Sequence, residues 1–272
     1  MRYCDQHIHS AASFDATASM GEMARAARDH GMAAVCFTDH VDLDDSRTGR
    51  LSPEWRREVP RCRAAWEELS AGPPAVIPVR FGMELGGPNH DPDTAARLAA
   101  DPALDFVLGS LHNLRNETDF YWLRYSPSTP VRELNRRYLR ELLELAALDC
   151  FDVMAHIGYT ARYMHRDGRE DGDVTPDRYG DELEALFTRL IQRGRGLEVN
   201  VSGLRHGHTT YPNAQCLRLY RQLGGEIVTV GSDAHTLEEA GVGVADGYAL
   251  LRDLGFRYVA EFRTRRPEFF PL

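Results

Sequence analysis

A repeated alternation constrains the fold of this chain more than any other feature. Short apolar runs at residues 2–9, 33–40, 79–85, 105–112, 151–157, 196–202 and 226–235 alternate with longer amphipathic stretches. A weaker eighth run lies at 256–262. Most runs are nearly continuous in apolar residues, as expected of parallel strands covered on both faces. Helical patterns occupy 20–30, 53–69, 129–148, 176–193, 213–223 and 238–254, and three of them close on Gly31, Gly224 and Gly255. Pro60 predicts a break inside 53–69. Such alternation builds right-handed βαβ units on a parallel sheet. Seven or eight units in this length fit a β/α barrel better than an open doubly wound sheet. No Gly/Ser-rich or Pro-rich linker divides the chain, so a single α/β domain over 1–272 is expected. The polar segment 164–177 reads as a surface loop.

The ends of these runs carry the chemistry. The first offers His7 and His9, the second His40, the third Glu84, the fourth His112 and the fifth His156. The seventh offers Asp233 and His235, and the sixth ends at Asn200, followed by Ser202 and Arg205. In a β/α barrel the C-terminal strand ends converge on one face. Residues i and i+2 of a strand point the same way, so both side chains of His-x-His or Asp-x-His enter one cavity. So many imidazoles and carboxylates crowded together need a cation to offset repulsion and desolvation. Nitrogen and oxygen donors without thiolate suit Zn, Mn or Fe. Eight donors exceed the needs of one open catalytic ion and suffice for two or three divalent metal ions sharing a carboxylate. His30 reads instead as a helix C-terminal cation, and His90 and His165 as residues of polar loops.

Composition narrows the partners. The net charge is −9, from 41 acidic and 32 basic residues, so a long nucleic-acid backbone is not the expected partner. All the basic residues are Arg, which removes Schiff-base and P-loop lysine chemistry. A small anionic substrate fits if a few Arg residues are focused in one cleft. No run of ~18 apolar residues is present, and the first residues contain no apolar leader, so a cytoplasmic protein without a membrane span is expected. The cysteines Cys4, Cys36, Cys62, Cys150 and Cys216 are widely spaced and read as reduced thiols.

The series His7-x-His9, Thr38-Asp39-His40, Gly82-Met83-Glu84, His112, His156 and Ser232-Asp233-x-His235 resembles the polymerase and histidinol phosphatase (PHP) family. The resemblance runs from residue 5 to about 245, with the motifs in the family's order. His156-Ile-Gly-Tyr-Thr-Ala-Arg162-Tyr163 and Glu198-Val-Asn200-Val-Ser202-Gly203-Leu204-Arg205 resemble the motifs of monofunctional histidinol-phosphate phosphatases.

The resemblance implies a distorted TIM-like (β/α)7 barrel with a trinuclear centre. By motif, His7, His9, Glu84 and Asp233 would hold one ion. Bridging Glu84 with His112 and His156 would hold a second, and Asp15, His40 and His235 a third. Relatives often place His where this chain has Asp15, and an oxygen ligand there would shift preference toward Mn or Fe. The implied reaction is hydrolysis of L-histidinol phosphate, a small phosphorylated substrate, in histidine biosynthesis. Hydroxide bridging two ions would attack phosphorus in line. Glu84, Asp233 and His235 would be catalytic, and Arg162 and Arg205 would bind the phosphate of the substrate. Asp39 would orient a ligand imidazole. Glu117 or Asp119 would meet the substrate ammonium, and Phe120-Tyr121-Trp122 would stack on its imidazole or pack. His206 and His208 would lie near the rim. Another phosphomonoester or phosphodiester, or an amidohydrolase-like C–N hydrolase, remain the alternatives, and the oligomeric state stays open.

Overall fold

Continuous apolar runs become short strands because neither face needs to meet water. The computed structural model describes residues 2–272. In chain order the first elements are β1 (Cys4–Ile8), α1 (Met20–Asp29), β2 (Ala34–Phe37), β3 (His40–Asp42), α2 (Trp55–Ala71) and β4 (Val79–Gly86). There follow α3 (Pro92–Ala99), β5 (Phe106–Ser110), α4 (Val131–Leu145), β6 (Val153–Met154), α5 (Tyr159–Arg166) and α6 (Pro176–Gln192). The last are β7 (Gly196–Asn200), α7 (Ala214–Gln222), β8 (Val228–Gly231), α8 (Val244–Asp253), β9 (Tyr258–Arg263) and β10 (Arg266–Pro271).

The strands form one parallel sheet in the order β1-β2-β4-β5-β6-β7-β8. β2 and β3 are two pieces of one barrel position, because both pair with β4. That leaves seven positions around the ring. Past their strand ends, β1 and β8 meet through Asp233 N to His7 O (2.7 Å) and His9 N to Ala234 O (3.0 Å), which curls the sheet into a nearly closed barrel. The fold is thus the distorted TIM-like (β/α)7 barrel expected from the sequence, as a single domain.

The run at 256–262 is a strand, but it lies outside the ring. β9 pairs antiparallel with β10, and this hairpin floors the barrel. Ala260 and Phe262 enter the interior cluster with Cys36, Phe106, Leu108 and Val153. Phe262 stacks on Phe106 at 4.9 Å, and its N–H donates to Gln6 Oε1 at 3.1 Å. With one end plugged, the C-terminal strand ends are left as the open mouth.

Three local readings are corrected. α2 runs through Pro60, because a proline removes one N–H donor while the bonds on either side hold the helix. Segment 164–177 is not a plain surface loop: α5 extends into it, and Met164 and Val174 are buried. His90 and His165 are buried rather than solvated in polar loops. His90 bonds Asp44 through Nδ1 and Glu141 through Nε2, the latter at 2.7 Å. His165 pairs with Asp173 at 3.2 Å and stacks on His208. Helices α3 and α5, of eight residues each, were too short to show a periodic pattern.

Candidate metal centre

Each strand delivers its ligand because the last inward-facing position lies where the sheet opens. His7 and His9 come from β1 and its end, His40 opens β3, and Glu84 sits on β4. His112 and His156 follow β5 and β6, and Asp233 and His235 follow β8. Two of these side chains are turned inward by unusual backbone, with φ of 23° at His156 and 56° at Asp233. Such conformations cost on the order of 1–3 kcal/mol for a non-glycine residue and persist where the surroundings enforce them.

The donor atoms converge closely. His7 Nε2 lies 3.1 Å from His9 Nε2, 3.3 Å from Glu84 Oε2 and 3.5 Å from Asp233 Oδ1. His9 Nε2 is 3.5 Å from Glu84 Oε2 and 3.4 Å from Asp233 Oδ1. The other oxygen, Glu84 Oε1, meets His156 Nε2 at 2.8 Å and His112 Nε2 at 3.1 Å. At the mouth, His40 Nε2 is 3.5 Å from His235 Nε2, and Asp15 Oδ2 is 3.6 and 3.3 Å from the two imidazoles. All nine ligands expected from the sequence therefore lie in one continuous cluster. His7, Glu84 and His156 are among its triads whose donors all lie within 4.8 Å of one another, as are His40, Glu84 and His112.

This arrangement fits divalent ions. Bonds of ~2.0–2.1 Å to nitrogen or oxygen give a tetrahedron with edges of about 3.3–3.4 Å, close to the separations found. Glu84 Oε2 and His40 Nδ1 are buried and lack a hydrogen-bond partner, although only 3.0 Å separates them. A cation would satisfy such orphaned donors where hydrogen bonds do not. Glu84 offers one oxygen to each half of the cluster, as a bridging ligand requires.

Supporting groups fix the ligands. Glu198, fully buried on β7, accepts from His7 Nδ1 at 2.6 Å and from His156 N–H at 2.7 Å. Sequence reasoning assigned Glu198 no role, though a carboxylate inside an apolar run was a usable signal. Ser13 Oγ lies 3.1 Å from His9 Nδ1 and donates to Asp39 Oδ1 at 2.8 Å. Asp39 also accepts from Ser10 N–H at 2.6 Å, so it orients His9 through a serine rather than directly. Glu198→Gln is expected to weaken metal affinity by roughly 10–100-fold, the usual effect of losing such a partner. Equilibrium metal titration checks this, and unchanged affinity would refute the role.

Electrostatics follow from burial against neighbouring carboxylates. Burial alone would lower His7, but Glu198, Glu84 and Asp233 outweigh it and raise the imidazole well above its usual range. Burial likewise opposes His40, which Glu84 and Asp15 raise, and His112, which Glu84 and Asp42 push up to about 10. Burial lowers His9, aided by His235 and His40, and it also lowers His156. Without a cation, then, His7, His40 and His112 hold protons at neutral pH, while His9 and His156 are free bases. A metal must displace the held protons, so affinity should rise as pH rises toward about 10. Protons should therefore leave the chain on loading at pH 7, in a number set by how many of these imidazoles are charged. Calorimetry in buffers of different ionisation enthalpy reads this number, and no proton release would contradict the charge pattern.

Two guanidinium groups flank the cluster. Arg162 Nη2 donates to Asp233 Oδ2 (2.6 Å), Ser202 Oγ (2.5 Å) and Asn200 Oδ1 (3.4 Å). Arg205 donates to the carbonyls of Ser232 (2.6 Å) and Asp233 (3.3 Å) and pairs with Glu239. Among the other rim candidates, Glu117 is bound to Arg137 at the surface. Asp119 is nearer the centre, where burial pushes its carboxyl up to about 6 against the pull of His112. Phe120 is core, packed on Tyr138 and Tyr159, while Tyr121 and Trp122 stay half-exposed.

Comparison with known proteins agrees with this geometry. A probable histidinol-phosphatase of Thermotoga maritima is 26% identical over 257 residues, 94% of each protein. One of Deinococcus radiodurans is 28% identical over 275 residues, 97% of each. The crystal structure of histidinol phosphate phosphatase from Lactococcus lactis subsp. lactis, complexed with Zn, L-histidinol and phosphate, superposes with a TM-score of 0.73. That match has 22% identity and covers 98% of this chain and 99% of the other, and it supports the barrel fold. The PHP domain profile matches residues 5–202. With most of its length so matched, and its strand-end ligands in one cluster, the chain belongs to the PHP domain family.

Proposed function

We propose that residues 1–272 form one PHP-type metallophosphoesterase domain that hydrolyses L-histidinol phosphate to L-histidinol and phosphate. The convergence of eight donor residues on Glu84 and its neighbours, flanked by Arg162 and Arg205, carries this reading. Relatives named histidinol-phosphatase, and the zinc-containing Lactococcus structure with L-histidinol and phosphate, support it. The flanking guanidinium groups favour a phosphate ester over the C–N bond of an amidohydrolase-like substrate.

His7, His9, Glu84 and Asp233 would hold one divalent ion, Glu84 with His112 and His156 a second, and Asp15 with His40 and His235 a third. Zn, Mn or Fe bound there would supply positive charge at the phosphoryl oxygens and acidify water. The protein's own groups do the rest. Arg162 and Arg205 present donors to the phosphoryl oxygens, where negative charge gathers in the transition state. Water adds its oxygen to phosphorus, the ester P–O bond breaks, and the leaving alkoxide takes a proton. His235, partly exposed at the mouth, would move that proton, while Asp233, paired with Arg162 and held anionic, would hold the ligand geometry beside it. Asp119 would meet the substrate ammonium, whereas Glu117 is already paired with Arg137. No described helix is long and apolar enough to cross a membrane, in keeping with a cytoplasmic enzyme.

The test is phosphate release by Mn-supplied protein from L-histidinol phosphate, beside glycerol phosphate, a nucleoside monophosphate and a phosphodiester. A large preference in kcat/KM for histidinol phosphate is expected. Equal activity on all monoesters would move the enzyme to another substrate while keeping the metallophosphoesterase, and no phosphate release at all would refute both.

A further inference from the structure

The mouth contains an aromatic surface with an uncovered face. Phe14 is 62% exposed, the highest among the large apolar side chains exposed in the described residues. It stacks on His40 at 5.2 Å between centroids with planes 26° apart. His40 stacks on His9 at 4.3 Å, and His9 on His235 at 4.1 Å. His9, His40 and His235 thus form a triangle of imidazoles, with His40 and His235 5.7 Å apart, and Phe14 covers its His40 corner at the rim. Its neighbour in the chain, Asp15, reaches back to His40 and His235, which anchors the ring at the rim.

The other mouth aromatics are already engaged. The Arg47 guanidinium lies over Trp122 at 3.3 Å. Tyr121 packs edge-on against Trp122 and Tyr163, with Arg166 above it. Tyr159 is buried and bonded to Tyr163. Phe14 has His40 on one face and solvent over most of the rest.

We propose that the open face of Phe14 is the seat of the substrate's flat, nitrogen-bearing ring. The inference rests on the histidinol phosphate reading and adds to it the residue that selects the imidazole. Three carbons join that ring to the ester oxygen, so with phosphate at the metal cluster the ring must rest on a wall beside it. A phenyl face attracts a protonated imidazole through its quadrupole and a neutral one by offset stacking. A linear phosphomonoester gains nothing there.

The experiment compares kcat/KM for L-histidinol phosphate and for glycerol phosphate in the wild type, Phe14→Ala and Phe14→Trp. It also measures bound metal per chain and, by calorimetry, the affinity for L-histidinol in the presence of inorganic phosphate. In Phe14→Ala the selectivity ratio should fall about 10-fold, and L-histidinol affinity should fall in step. Metal content should stay at the wild-type value, and Phe14→Trp should keep the ratio. An unchanged ratio in Phe14→Ala, from a wild type that discriminates, overturns the seat and leaves the phosphatase reading intact. Metal loss in Phe14→Ala also overturns it, since Phe14 would then serve to pack His40. A wild type without discrimination refutes the substrate reading first, and the seat with it.

Discussion

Glu84→Ala should abolish phosphate release and lower the metal bound per chain, because both halves of the cluster share this one carboxylate. Oε2 faces His7, His9 and His40 within 3.5 Å, and Oε1 faces His112 and His156 within 3.1 Å. Burial opposes its ionisation, but His7, His40 and His112 hold its carboxyl well below the ordinary range, so it is anionic before any metal arrives. Loss of metal charge from the phosphoryl group removes several kcal/mol of transition-state stabilisation, or about a 10³-fold fall in kcat at 1.36 kcal/mol per decade. Glu84→Gln keeps the shape and removes the charge, and should fall nearly as far. Elemental analysis beside a steady-state assay reads both effects. Full activity in Glu84→Ala would sink the metal reading altogether.

Arg162→Ala should separate binding of phosphate from binding of metal. Asp233 is divided: Oδ1 faces His7 and His9, and Oδ2 accepts from Arg162 at 2.6 Å. Burial would raise this carboxyl, but Arg162 first and His7 next hold it well below its usual value. If Arg162 grips the phosphoryl group as proposed, removing its guanidinium should cost roughly 3 kcal/mol, or about 10²-fold in kcat/KM. Metal should remain, since Asp233 keeps its charge at neutral pH. The sign of the pH effect is fixed. Without Arg162 the Asp233 pKa rises, so protonation competes at higher pH and the acid limb of the rate profile moves up. Metal loss equal to that of Glu84→Ala would mean that Arg162 only props up the ligand set. Arg162→Lys should recover little, because an ammonium lacks the planar fork that lets a guanidinium hold Asp233 and Ser202 on one side and offer donors elsewhere.

The cluster was legible because an apolar run gives way to a polar side chain at the strand ends, and period two turns both members of His7-x-His9 or Asp233-x-His235 inward. The seven-position barrel followed from the same runs. What escaped was set through space. His90 looked like a loop residue because Asp44 and Glu141, its partners, lie 46 and 51 positions away. Glu198 was visible as a charge in an apolar run, but its target, His7, is 191 positions distant. The split of β2 from β3 was hidden because it turns on Asp39 being drawn to Ser10 and Ser13 rather than on any breaker residue. The floor strand β9 had the right composition, and only tertiary pairing could show that it lies across the barrel instead of within it.

The meeting of β1 with the chain after β8 has a consequence for the order of events during synthesis. His7 is synthesised 226 residues before its strand-end partner Asp233. Until then β1 carries an unpaired edge and two imidazoles that have Glu84 but still lack Asp233. The floor comes later still, since Gln6 and Phe262 are 256 residues apart. Contacts this distant in sequence are slow to form, and open parallel edges are prone to mispairing. The donor cluster is therefore complete only after His235 has been made, and an ion offered to a shorter nascent chain would find only fragments of it.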